Sequence, residues 1–409
     1  MQDVLIIGGG AGGLALACML KQQNKNISVT VAEQLERVGK KLSTTGNGRC
    51  NISNLNINKE NFHTRCPDKA HRVVSLFDYE KTKAFFSSLG VEFINEGSKV
   101  YPRSLQASSV VDALRFACDK YNVNTLTDCK IVKVVKAKNG FTALCNNSAF
   151  EINAKCLVVA TGGMAGGSKL GSNGDGYSLL KQFGHKILER TPVIVQVKTE
   201  NTLTKQLKGV KINCLVSVKN KGETVATDNG EVLFCDYGLS GPPVLQLSRY
   251  CSKGTSLSLD ILPEYSLKEI KNLLIDRKNI MGNITANDFF AGLLHKKLGQ
   301  IVIKSCDIPL NISVNSLTEK QIDMVAYKLK NFNFKVEGHT GFVNAQSTSG
   351  GADLEQFTDA LMSNLVNGLF ALGEVLDVDG DCGGYNLQWA WSSAYAVSRG
   401  ILEFINRGK

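Results

Sequence analysis

Three glycines at Gly8, Gly10 and Gly13, with an acid at Glu33, are the residues of this chain whose spacing most directly implies chemistry. In a G-x-G-x-x-G turn that leaves a strand and opens a helix, the first glycine permits the tight turn and the second lets backbone N–H groups approach a pyrophosphate. The third lets helix and strand pack closely. The helix N-terminus adds about half a positive charge facing the phosphates. Glu33 stands where an acid accepts from the adenosine ribose hydroxyls, and its charge disfavours a 2′-phosphate there. The pattern predicts an adenine dinucleotide site and does not by itself separate FAD from NAD.

The far end of the chain separates them. Gly373-Glu374 follows the strand-like stretch Leu369 to Leu372, and Gly383-Gly384-Tyr385-Asn386 leads into a helix-like run that carries Trp389 and Trp391. A helix N-terminus at 384–387 supplies donors for the N1/C2=O edge of an isoalloxazine, where reduced flavin carries negative charge. Other patterns fail on inspection. Gly162 to Lys169, GGMAGGSK, has Ser168 where a phosphate-binding P-loop needs lysine. Asp377-x-Asp379-x-Asp381 continues with Cys382 and Gln388 where a calcium loop needs glycine and glutamate. His63, His71, His185, His295 and His339 have no metal-ligand spacing, and no metal is expected.

The elements that must position these residues are legible in outline. Val4 to Ile7 reads as a strand, Leu14 to Leu20 as a helix and Ile27 to Ala32 as a strand, a unit that requires a parallel sheet. Cys156 to Ala160 is a further buried strand, running into Thr161 and Gly162. From Thr191 the texture turns to short β-like segments, at Val193 to Val197, Leu215 to Val218 and Leu257 to Ile261. A helical stretch follows, in which SLKEIKNLLID and SLTEKQIDMVAYKLK each open on a serine with a glutamate three residues on, predicting capping boxes at Ser266 and Ser316. The expected fold class is α/β: a split Rossmann-like dinucleotide domain, residues 1–190 and 344–409, interrupted by residues 191–343. That insertion is read as β-rich over about 191–264 and helical over about 265–343.

Composition narrows the class. A chain of 409 residues with 43% hydrophobic and 21% charged residues suits two or three lobes with packed cores. The apolar run Val4 to Leu20 has no basic residue before it and is rich in glycine, so neither a targeting segment nor a membrane span is expected. Twelve cysteines without any C-x-x-C pair fit a reducing cytoplasm better than a secreted disulfide framework. The net charge of +10 is diffuse. It reads either as a solvated lysine surface or as affinity for an anionic partner such as RNA, with no DNA expected.

Taken in order along the chain, GGGAGG at Gly8 to Gly13, GKKLSTTGNGRCNISN at Gly39 to Asn54, YPRSLQASSVVDAL at Tyr101 to Leu114, ATGG at Ala160 to Gly163, GSNGDGY at Gly171 to Tyr177, LFCDYGLSGPPVLQLS at Leu233 to Ser248 and GEVLDVDGDCGGYNLQWAWSS at Gly373 to Ser393 resemble the FAD-binding flavoproteins of the YhiN, BaiN and aminoacetone-oxidase-like family. The last two segments look most like the YhiN branch of rRNA dihydrouridine synthases. The resemblance implies a noncovalent FAD, with substrate approaching between the split domain and the insertion. Carried onto this chain, the FAD contacts are Gly8, Gly10, Ala11, Gly12, Gly13, Glu33, Lys41, Gly48, Arg49, the Ile131 backbone beside adenine, Thr161, Gly162, Gly373, Glu374, Tyr385, Asn386 and Leu387. In this class of fold the loop 40–54 runs from the ribose toward the ring, where Lys41 and Arg49 would neutralise pyrophosphate. Cys50 would then stand near the isoalloxazine, its alternative being a small buried hydrophobe, and Cys50 and Tyr385 are the catalytic candidates. The implied activity is an FAD-dependent oxidoreductase, with NADH or NADPH as a transient electron donor and hydride transfer to an unsaturated substrate. A uridine of 23S rRNA, free or in ribosomal particles, is one candidate substrate. The rivals are a small-molecule amine oxidase or enone reductase, and a flavin-bound RNA-associating protein without chemistry.

Overall fold

Uninterrupted apolar runs make strands that are covered on both faces, as parallel sheets require. In the computed structural model, which describes residues 1–146 and 151–407, β1 (Gln2–Ile7) is buried from Val4 to Ile7 and β2 (Val29–Ala32) throughout. The remaining strands of this sheet are β3 (Asn124–Leu126), β4 (Ile131–Ala137), β5 (Gly140–Cys145), β6 (Glu151–Val159) and β7 (Leu369–Ala371). Their order is β3-β2-β1-β6-β5-β4, with β7 also on β6. β6 serves two partners: its first half pairs antiparallel with β5, while Leu157 to Val159 pair in parallel with β7. The parallel part therefore runs β3-β2-β1-β6-β7, and the chain changes direction across the sheet between β1 and β6. An open parallel sheet binds its ligand beyond the carboxyl ends of the strands at such a reversal. Here those ends deliver Gly8, Glu33, Ala160 and Leu372. Two helices cover the sheet beside this edge, α1 (Ala11–Gln23) and α2 (Tyr385–Arg407), and they pack on each other.

The chain forms two units, Met1–Pro192 together with the stretch from Phe342 onward, and Val193–Gly341. The second unit is a closed six-stranded barrel in the order 197–199, 238–240, 223–235, 211–220, 255–260 and 332–339. Its long hairpin, Lys211–Asn220 with Glu223–Cys235, turns through Lys221 and Gly222 at φ +51° and +90°, the doubly positive geometry that matches strand twist. Three helices, Leu267–Met281, Lys296–Lys304 and Glu319–Lys330, lie between the fifth and sixth barrel strands in sequence.

Three local readings differ from the structure. Val193 to Val197 is not one strand, because Ile194 at φ +51° divides Thr191–Val193 from Val197–Thr199. Phe332–His339 lies in the stretch read as helical, yet its burial alternates residue by residue and it closes the barrel. Ser266 and Glu269 do form a capping box, whereas the second box belongs to Thr318 and Gln321, since Ser316 ends a separate 3-10 turn. Among the described residues no helix is long and apolar enough to cross a membrane.

Candidate functional site

The glycines of the first turn do two different jobs. A Cβ on Gly13 would lie 2.0 Å from the Gly8 carbonyl oxygen, and one on Gly8 would lie 2.5 Å from that of Ala160. These two positions are glycine because backbones touch there. Gly10, the N-cap of α1, has nothing within 4 Å of a Cβ, and no side chain caps the helix. The first-turn N–H groups of α1 are thus left without a side-chain cap, beside the open position at Gly10. Ala11 follows, and a Cβ on Gly12 would strike Leu372 at 2.4 Å, so α1 also meets the end of β7.

Glu33 sits at the end of β2, buried, with Oε2 accepting from Gly9 N–H at 2.8 Å and Oε1 from Leu35 N–H at 2.9 Å. Burial pushes its carboxyl up, against those hydrogen bonds. Cys129 N–H donates to the Glu33 carbonyl at 2.9 Å, which brings the start of β4 and its buried Ile131 alongside the acid.

At the other end of the sheet edge, Gly162 and Gly373 take φ of +69° and +71° and again have nothing within 4 Å of a Cβ. Gly373 is held from α2: its carbonyl accepts from Trp389 Nε1 at 3.0 Å and its N–H donates to Ser393 Oγ at 3.0 Å. Thr161 is packed against the helix Asp175–Gln182, since a Cβ on Gly176 would meet Thr161 Oγ1 at 1.9 Å. Glu374 accepts from Lys41 Nζ at 2.6 Å and from Thr348 N–H at 2.9 Å, while Thr348 Oγ1 accepts from Met164 and Ala165 N–H. Lys41, expected on the phosphates, is therefore satisfied by a protein carboxylate. Thr348 and Ser393 were not assigned a role from the sequence, because isolated hydroxyls carry no spacing signal.

The loop 40–54 is not extended. It coils through a 3-10 turn at Leu42–Thr44 and a helical turn at Thr45–Gly48, with Gly46 and Asn47 in left-handed geometry. Gly48 faces open space. Arg49, also expected on the phosphates, pairs with Glu96 and lies over the Tyr101 ring at 4.4 Å, leaving its buried Nε without a partner. Cys50 is fully buried at φ +58°, and burial pushes its thiol up to about 12, so at neutral pH it is a protonated core thiol. Tyr385 donates its hydroxyl to the Asn56 carbonyl at 3.1 Å and sets its ring edge-on to Phe62. Asn386 uses both ends of its amide on Gly380, at 2.9 Å each, and Oδ1 also accepts from Ser347 at 2.9 Å. Leu387 packs on the core. The structure thus turns Tyr385 and Asn386 inward as braces, so that α2 can offer a ligand its backbone N–H groups. Gln388, which the sequence did not single out, is completely buried and ties Ser53 and the Phe77 carbonyl to α2 at 2.6 and 2.7 Å.

An extended dinucleotide fits this arrangement. Open space at Gly10, Gly48, Gly162 and Gly373, a helix start without a side-chain cap, and the unpartnered polar atoms Arg49 Nε and Asn51 Oδ1 are features that a bound FAD would use.

The HI0933-like protein Rossmann domain family matches residues 2–400. Over 410 residues the chain is 33% identical to the 3-dehydro-bile acid delta(4,6)-reductase of Clostridium scindens, covering 98% of this chain and 100% of that protein. Over 404 residues it is 29% identical to the ribosomal RNA dihydrouridine synthase of Escherichia coli, covering 98% of each. Among solved structures, the 3-ketosteroid delta1-dehydrogenase of Sterolibacterium denitrificans superposes with a TM-score of 0.52 at 12% identity, covering 98% of this chain and 99% of that one. A flavocytochrome c3 fumarate reductase gives 0.50 at 15% identity, with 98% and 78% covered. At such identities the structural likeness shows the shared fold.

Proposed function

The chain belongs to the HI0933-like Rossmann-domain family and is an FAD-dependent oxidoreductase, and we propose from that premise that it reduces a carbon–carbon double bond conjugated with a carbonyl group. Two curated relatives support this acceptor class. The first is a delta(4,6)-reductase of a 3-dehydro bile acid, and the second produces dihydrouridine from uridine, whose C5=C6 bond is conjugated with the C4 carbonyl. On this proposal, hydride would add to the carbon of the double bond remote from the carbonyl, whose oxygen would take up the developing charge.

The observation that carries the cofactor reading is the set of open glycines Gly10, Gly162 and Gly373 at the carboxyl ends of β1, β6 and β7. Bound there, reduced FAD supplies a hydride. The first turn of α1 neutralises pyrophosphate, and Glu33 offers carboxylate oxygens to the ribose hydroxyls. The start of α2 would offer N–H donors to the ring, and Trp389 with Ser393 fixes the Gly373 backbone at this edge. Lys41 and Glu374 tie the 40–54 loop to this edge. Cys50 is enclosed in the core and the Tyr385 hydroxyl donates to the Asn56 carbonyl, so this proposal assigns the proton to neither.

In this proposal NADH or NADPH reduces the flavin transiently, and the preferred acceptor is a small polycyclic enone. The 33% identity to the bile-acid reductase supports that choice, as do ion pairs such as Lys208–Asp236, Lys211–Glu231, Lys271–Asp323 and Lys330–Asp260, which neutralise lysines of the second unit. The second reading, a uridine of 23S rRNA, draws on the net charge of +10 and the Escherichia coli relative. The test is anaerobic. NADH or NADPH should bleach the flavin absorbance, and a 3-keto-4,6-diene bile acid should restore it with loss of one double bond. Reoxidation by unmodified 23S rRNA alone, with dihydrouridine in the product, would transfer the assignment to the second reading; reoxidation by neither would overturn the conjugated-acceptor proposal.

A further inference from the structure

Asn51 is 9% exposed, and its Oδ1 is shielded from solvent without any hydrogen-bond partner. Its position is fixed from both sides. Cys50 N–H donates to the Thr45 carbonyl at 3.0 Å, Ile52 N–H to Val100 at 2.8 Å, and the Ile52 carbonyl accepts from Trp391 Nε1 at 3.0 Å. A Cβ built on Gly384 would lie 2.8 Å from Asn51 Oδ1. The unpaired acceptor therefore stands directly beside the first turn of α2, a 23-residue helix whose leading N–H groups are donors.

A buried acceptor with no donor is costly, and native structures keep one where strain, water, an ion or a ligand accounts for it. Here donor and acceptor stand side by side at a helix start. The pyrimidine edge of a flavin presents C2=O, N3–H and C4=O in sequence, so a helix start that donates to a ring carbonyl and an amide oxygen that accepts from the ring N–H are complementary to it. In oxidised FAD no other part combines a carbonyl with an adjacent ring N–H, and the pyrophosphate is assigned to α1. We infer that Asn51 is the residue that reads the flavin imide, its Oδ1 accepting the N3–H next to the α2 N-terminus. This rests on the FAD reading above and adds a positioning residue for the ring. Asn51 thereby fixes which edge of the isoalloxazine faces α2 and stabilises the oxidised and reduced rings alike.

The test uses the full chain stripped of flavin and titrated with FAD and with FAD methylated at N3, followed by flavin fluorescence. Wild-type protein should bind the methylated cofactor about ten- to a hundredfold more weakly. In Asn51→Ala, binding of FAD should weaken and the ratio between the two flavins should fall to about twofold or less. Asn51→Asp retains an acceptor and adds negative charge beside the ring, so its midpoint potential, measured by dye equilibration, should move to more negative values. Equal binding of the two flavins by wild-type protein overturns the inference, as does an undiminished ratio in Asn51→Ala. Should Asn51→Ala not fold, the wild-type comparison decides alone. Failure of FAD itself to bind overturns the cofactor reading instead, and the titration separates the two outcomes.

Discussion

Lys41 Nζ lies 2.6 Å from Glu374 Oε2, joining the loop after β2 to the loop after β7 across 333 residues of sequence. Both side chains are mostly buried, at 25% and 19% exposure, so the pair is only partly screened by water. Removing one partner of such a pair leaves an uncompensated charge. Lys41→Met should destabilise the protein by about 1–2 kcal/mol, between the values for exposed and fully buried pairs. The double variant Lys41→Met/Glu374→Gln should recover part of that loss. Urea titration of the four proteins of the cycle measures the coupling, and a coupling indistinguishable from zero would show that the contact is incidental.

The two classes of glycine predict opposite phenotypes. At Gly10 a methyl group meets nothing within 4 Å, so Gly10→Ala should leave the flavin-free protein within about 0.5 kcal/mol of wild type and still weaken FAD binding about tenfold or more. At Gly13 the methyl carbon would sit 2.0 Å from the Gly8 oxygen, so Gly13→Ala should destabilise the flavin-free protein itself, by about 1–3 kcal/mol. Thermal unfolding without flavin, paired with flavin titration, resolves the two. A Gly10→Ala protein that binds FAD as wild type does would remove the pyrophosphate from the first turn of α1.

Local pattern accounts for what the sequence revealed. The run Val4 to Ile7, the G-x-G-x-x-G turn and Glu33 lie within one βαβ unit, where strand, helix and acid report on one another over a short span. The barrel was not visible, because its last strand, Phe332–His339, returns only after three helices and pairs with Thr255–Asp260. The family resemblance assigned Lys41 and Arg49 to the phosphates; the structure pairs them with Glu374 and Glu96, partners distant in sequence or on another strand that no local pattern announces. Asn51 is the reverse case: its type is unremarked in a polar loop, and only its burial and its place beside Gly384 give it meaning.

Two buried groups should bend the stability profile in opposite directions. Burial, reinforced by Asp379 and Asp353, pushes the Asp377 carboxyl from 3.8 up to about 6, despite a hydrogen bond from Arg65 N–H. A raised carboxyl contributes stability that is complete below 3.8 and lost as pH rises through about 6. Asp377→Asn should therefore stabilise the protein at pH 7–8, on the order of 1 kcal/mol after solvent screening, with the gain vanishing in acid. An unchanged stability difference from pH 3.5 to 8 would count against burial as the cause.

His185 has the opposite sign. Burial holds its imidazole below 6.5, and it stacks on Phe357 at 4.5 Å between ring centres. Ser363 Oγ already accepts from Leu365 and Val366 N–H, so its hydroxyl donates to His185 Nε2 at 2.9 Å, an acceptor that only neutral histidine provides. Its contribution is present above 6.5 and lost as pH falls. His185→Phe, which retains the stack, should flatten the loss of stability below pH 6.5, as read by urea titration across that range.

Cys50 offers the most direct check on the loop 40–54. No cysteine of the twelve forms a disulfide, and Cys66, Cys235 and Cys382 are the ones partly open to solvent. A thiol that is both enclosed and raised to about 12 presents almost no thiolate. In native protein at pH 8, iodoacetamide followed by peptide mass mapping should mark those three positions and leave Cys50 unmodified until the chain unfolds. Cys50→Ala should likewise leave the flavin absorbance spectrum unchanged, because the left-handed turn, at φ +58° for Cys50, keeps the backbone bond from its N–H to Thr45. Rapid labelling of Cys50 in folded protein would place its sulfur at an accessible surface of the cofactor site and restore it as a candidate for the chemistry.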